Sequence, residues 1–184
     1  MNLSVLGLPS SSLPDRPGTL RRFCAHVCRA VPPVGPALAG AALWAAIMAA
    51  SATHGIWLRT WQTPYKVQAV ALLFAVGGAV GFPVGLFLAR LFGMGRRREA
   101  AFAAALIGFS AATVASTALA YALVYRSYYA AWHAEPLSLT WLFQLIFTTL
   151  GATGQFAVLG LRLYFPIGFA AMLAAALWFV RKPR

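Results

Sequence analysis

Four stretches of this chain, residues 35–58, 67–92, 100–125 and 137–180, stay apolar over lengths that a water-soluble fold rarely uses. About 20 apolar residues in a helix span the hydrocarbon of a bilayer. Lipid offers no partner to a backbone N–H or C=O, so a crossing chain must close its hydrogen bonds inside helices. The runs therefore predict an all-α integral membrane protein. Composition agrees: 61% of the 184 residues are hydrophobic and 10% charged, far from the balance of a soluble domain. A single transmembrane domain over 34–180 is expected, with no separate soluble domain.

The charges sit between the runs. Fifteen Lys+Arg face three acids, Asp15, Glu99 and Glu135, for a formal charge of +12. In a soluble protein such a balance would point to nucleic acid. Here the basic residues flank apolar segments, where they hold loops on the cytoplasmic side and meet anionic headgroups, so membrane lipid is the expected partner and nucleic acid is not. The excess of Arg over Lys, with abundant Ala and Gly, fits a bacterial inner membrane.

Residues 1–19 carry Pro, Ser and Gly without periodicity and read as a flexible, cytoplasmic tail. Over 20–31 the pattern changes. Leu20, Phe23, Cys24, Val27, Cys28 and Val31 share one helical face and Arg21, Arg22, His26 and Arg29 the other, which predicts a basic amphipathic helix in the headgroup plane. Pro32, Pro33 and Pro36 end it. A signal peptide cleaved near Ala50-Ser51-Ala52 is the competing reading, but its basic region would be too long and the apolar run continues to Trp57-Leu58.

The last run divides the reading. In one version, residues 137–150 form a re-entrant or surface helix, the chain turns at Gly151-Ala152-Thr153-Gly154, and one crossing follows over 155–180, giving a four-helix transmembrane bundle. In the other, crossings at 139–163 and 165–180 give five. Four crossings leave Arg59, Lys66, Arg126 and Arg162 outside or in the membrane and the other eleven basic residues inside; five split them 9 to 6 and put the basic tail, 181–184, outside. The positive-inside rule favours four. Trp57, Trp61 and Tyr65, and then Tyr121 to Trp141, form an aromatic belt at the opposite, outer end.

Several intramembrane positions merit a role. Gly77, Gly81 and Gly85 make a small-residue ladder on crossing two, and Ala101, Ala105, Gly108, Ala112 and Ser116 on crossing three are the expected mates. Pro83 within that ladder admits a second reading, a broken helix exposing backbone to a solute. Gln144, Thr148, Gly151, Gln155 and Arg162 fall on one face of a continuous helix, with the Arg162 guanidinium expected to pair with Gln155 or Gln144. These four polar side chains, with His54, are the ligand-binding candidates.

Chemistry has little to work with. No carboxylate lies inside an apolar run, and no Ser-His-Asp set, carboxylate pair or phosphate loop can be assembled. Cys24 and Cys28 with His26 are too few for a zinc site and are expected on a buried face. A haem held by His54 and His133 would need His133 to ligate from a short loop. The expectation is thus no catalysis, no metal and no cofactor. A non-catalytic accessory, assembly or homo-oligomeric subunit acting through helix packing comes first. A small transporter or channel for an anion or neutral solute is the alternative, and a haem-bearing redox subunit a weaker one.

Overall fold

The computed structural model describes residues 19–60 and 63–181, without the side chains of Thr19 and Leu20. The expected tail before Thr19, Trp61 of the belt and residues 182–184 lie outside the described residues. What is described is helical: α1 Thr19–Ala30, α2 Val34–Leu58, α3 Pro64–Gly93, α4 Arg98–Tyr129, α5 Leu139–Gln155 and α6 Ile167–Arg181. A π turn, Phe156–Gly160, and a 3-10 turn, Leu161–Tyr164, prolong α5 without a gap. Four helices are long and apolar enough to cross a bilayer, so the chain is a multi-pass membrane protein.

Proline sets most of the boundaries. Pro33, extended at φ −60° and ψ 140°, separates α1 from α2, and Pro64 opens α3 at a position where its missing N–H costs nothing. Pro83 lies inside α3, which nevertheless runs unbroken to Gly93. Neighbouring helices support that turn, as they do for prolines in membrane helices generally.

α3 packs antiparallel on both neighbours. A Cβ at Gly81 would lie 2.6 Å from the Cα of Thr113, and one at Gly85 2.9 Å from the Cα of Phe109. Gly77 faces Thr117 in the same way, and Gly93 approaches Ala101. On the other side Gly78 meets Met48 and Trp44, and Gly40 meets the Phe82 ring. Aromatic rings fill the centre: Trp44, Phe82 and Phe109 lie 5.5–5.9 Å apart, and Phe74 sits 4.9 Å from Tyr164.

The C-terminal third departs from the expected path. No turn occurs at Gly151–Gly154; the helix continues through it to Tyr164. Glycine weakens a helix by only about 1 kcal/mol relative to alanine, and apolar surroundings offer no competing hydrogen bonds. The chain breaks instead at Phe165, held extended at φ −89° and ψ 136° ahead of Pro166. Proline disfavours the α conformation in the residue before it, which ends the helix there. In place of a surface helix over 137–150 and a helix over 155–180 the chain forms helices over 139–164 and 167–181, the bounds that the five-crossing version expects to within two residues.

Contacts fix the heights of these pieces. α2 and α4 run in the same direction and are level where Trp44 bonds Thr113, so Ser51 and Tyr121 are level about two turns further along. Near its start α5 places Trp141 under the Arg126 guanidinium, 5.9 Å away. Gln155 then meets Tyr121, and Leu163 meets Ser51 and Gly55. Trp141, Gln155 and Leu163 thus each contact α2 or α4 at or beyond the level of Ser51 and Tyr121. α6 starts at that height, where Gly168 bonds Ser51, and descends until Phe179 reaches Gly93 at the opposite end.

α1 touches the bundle through buried Ala30, through His26 Nε2, 2.8 Å from the Leu91 carbonyl, and through Val31, whose carbonyl accepts from Arg90 at 2.9 Å. Val27 on its apolar face is half-buried. Cys24 and Cys28, expected on a buried face, are exposed along with Phe23. The anchoring contacts come from His26 and Ala30, which leaves the Phe23–Cys24–Cys28 side without a protein partner among the described residues.

Candidate functional site

The polar side chains inside the bundle form two small groups. Thr113, at the α3–α4 seam, accepts the Trp44 indole N–H at 3.0 Å on Oγ1. One turn on, Thr117 donates to the Thr113 carbonyl at 2.9 Å and accepts the Tyr164 phenol at 2.8 Å. In the second group Ser51 donates to the Leu163 carbonyl at 2.9 Å and accepts the Gly168 N–H at 3.0 Å. Ser51 thereby bonds both sides of the Phe165–Pro166 break. Among the described residues, no buried side-chain nitrogen or oxygen lacks a partner.

None of these five residues was singled out by sequence. Ser51, Thr113 and Thr117 are fully buried, and the signal for them was available: isolated hydroxyls within apolar runs, with Thr113 and Thr117 one helical turn apart. Gly108, Ala112, Ala101 and Ala105 do lie on the packed side of α4; Gly108 brings its Cα face within reach of the Gly85 carbonyl, 3.2 Å from a built Cβ. The residues meeting Gly77 and Gly81 are Thr117 and Thr113, each one position beyond the expected Ser116 and Ala112.

The polar face of α5 is dispersed among separate partners. Gln144 accepts the backbone N–H of Ala134 at 2.8 Å, Thr148 lies 3.4 Å from His133 Nε2, and Gln155 accepts the Tyr121 hydroxyl at 3.0 Å. Arg162 is exposed, and among the described residues its guanidinium bonds neither glutamine. The π and 3-10 turns over 156–164 interrupt the 3.6-residue period that would have aligned it with them. The bundle uses its carbonyl instead: Arg59 caps the end of α2 by donating to Gly55 and bridges to the Arg162 carbonyl at 3.2 Å. His54 is half-buried beside Trp57, with ring centroids 6.5 Å apart. Gly151 and Gly154 have open space around them.

Among the described residues, no three His, Cys, Asp or Glu side chains gather as a metal site would require. A cavity of about 210 Å³ lies between α2, α3, α4 and the π turn, where Gln155, Tyr121 and Lys66 join otherwise apolar walls. The chain matches no family model, no curated protein and no solved structure.

Proposed function

We propose that this is a non-catalytic protein of a bacterial inner membrane, acting as an accessory or assembly subunit through helix packing against another membrane protein. The observation that carries it is the close packing of α3 on its neighbours. The glycine ladder brings the α3 backbone against Thr113, Thr117 and Phe109, and the buried hydroxyls bond one another and nearby backbone. A solute path needs polar groups free to exchange partners, and these are occupied. Among the described residues the carboxylate in a spanning helix is Glu99, in the first turn of α4, and none lies deeper in a span to couple transport to protons or sodium.

In this reading the chain makes four net crossings. The 139–164 helix lies obliquely in the outer half, and α6, about 22 Å long and too short to span alone, completes the return to the inside. Arg90, Arg96, Arg97, Arg98 and Arg181 then share the cytoplasmic face with α1, whose exposed Phe23 side enters the headgroup layer while Arg21, Arg22 and Arg29 meet anionic lipid.

Mild-detergent affinity purification followed by mass spectrometry tests the subunit role. A membrane protein recovered in fixed stoichiometry is the expected result. A protein recovered alone that moves an anion or neutral solute across vesicles would replace the subunit reading with transport.

A further inference from the structure

The cavity beside Gln155 has a composition that separates it from an ordinary packing defect. Its walls are apolar, including Val70, Phe74, Phe156 and Leu159, and its polar contributors are Lys66, Tyr121 and Gln155. Lys66 stands in the first turn of α3, which contains no acid, so its ammonium and the positive end of that helix add. From Lys66 to Phe74 the lining runs about 12 Å along α3, from the aromatic end of the bundle toward its middle. A charged rim above an apolar shaft is the polarity of a lipid lying in its own leaflet.

The wall opposite α3 is irregular. Phe156, Leu159 and Gly160 come from the π turn, a helix distortion frequent at functional sites. A Cβ at Gly160 would collide with the Phe156 ring, so the glycine lets that ring fold back along its own helix. The Tyr121 hydroxyl occupies the Gln155 carbonyl oxygen, leaving the Gln155 amide hydrogens as donors. An apolar cavity of about 150 Å³ accepts a benzene ring. The volume here therefore suits part of a hydrocarbon chain and excludes a headgroup, which must stay at the rim.

We propose that this cavity binds one acyl chain of an anionic phospholipid, with the lipid phosphate on the Lys66 ammonium and the Gln155 amide available to an ester carbonyl. The site rests on the membrane assignment and is independent of which face is cytoplasmic or whether a protein partner exists.

Photolabelling of the full chain in phosphatidylcholine vesicles tests this. The vesicles carry a trace of phosphatidylglycerol or of phosphatidylcholine, each with a diazirine in its acyl chain, and adducts are mapped by mass spectrometry. Adducts at 70–74 and 155–163 should favour phosphatidylglycerol about fivefold, the effect of one basic residue near a lipid anion. Lys66→Gln should remove most of that preference. Leu159→Trp, which fills the cavity, should remove adducts there while those on the outward α5 face at 143–147 persist, showing that the fold survives. Equal labelling by both probes in the parent, a preference undiminished by Lys66→Gln, or cavity adducts that survive Leu159→Trp in a folded protein would each overturn the proposal. A diazirine fatty acid that labels the cavity more strongly than phosphatidylglycerol would also overturn it, in favour of a free carboxylate amphiphile.

Discussion

Tyr164 reaches from the last residue of the α5 run into the α3–α4 seam and donates its phenol hydrogen to Thr117 at 2.8 Å. The bond ties the break at Phe165–Pro166 to the glycine ladder, because Thr117 is also the residue that Gly77 faces. The stretch of π and 3-10 turns is thereby fastened to the glycine-lined seam.

Removing that hydroxyl should cost little and removing the ring much more. Interhelical hydrogen bonds in membranes average about 0.6 kcal/mol, and Thr117 keeps its bond to Thr113, so Tyr164→Phe should lower the unfolding temperature by only a degree or two. Tyr164→Ala empties a buried aromatic site and should cost about 3–5 kcal/mol. Ser51→Ala should fall between them, at about 1–3 kcal/mol, because it strands the buried Gly168 N–H. Thermal unfolding in detergent, followed by circular dichroism, ranks the three.

Glycines of the same apolar chain should differ sharply in tolerance. Gly81→Leu forces a side chain against the Thr113 backbone and should reduce abundance and monodispersity. Gly151→Leu and Gly154→Leu enter open space on α5 and should leave both unchanged. Pro83→Ala should be mild, since α3 already accommodates that turn. Fluorescence-detected size exclusion of the four variants gives the comparison.

Arg162 should be replaceable. Its side chain is exposed and bonds neither Gln144 nor Gln155, and Arg59 uses only its carbonyl. Arg162→Leu and Arg162→Lys should therefore change stability by no more than about 0.5 kcal/mol. Arg59→Leu, which removes the contacts to both Gly55 and Arg162, should be the more damaging change. Unfolding midpoints of the three variants decide this.

The helices were legible from apolar run length and proline, and so was the Gly77–Gly81–Gly85 ladder, because both follow from local spacing. For the last third two paths were legible, and the helix bounds follow those of the five-crossing version, 139–163 and 165–180, not the turn at Gly151–Gly154. Gly151 and Gly154 look like a turn in sequence, yet apolar surroundings remove the competition that would unwind them, while Pro166 acts through its missing donor and its neighbour's backbone. The buried hydroxyls at Ser51, Thr113 and Thr117 escaped for a related reason. Their partners, Leu163, Gly168, Trp44 and Tyr164, lie between 47 and 117 residues away, and local periodicity carries no information at that range.

The path of 139–181 carries the account of the bundle, and a reporter fused after Arg181 tests it most directly. Trp141, Gln155 and Leu163 each contact α2 or α4 at or beyond the level of Ser51 and Tyr121, and the contacts of α6 bring Phe179 to Gly93. A fusion after Arg98 should therefore report cytoplasmic, one after Tyr129 periplasmic, and one after Arg181 cytoplasmic again. A periplasmic signal after Arg181, with the other two as expected, would mean that 139–164 crosses the bilayer and would contradict the four-crossing arrangement.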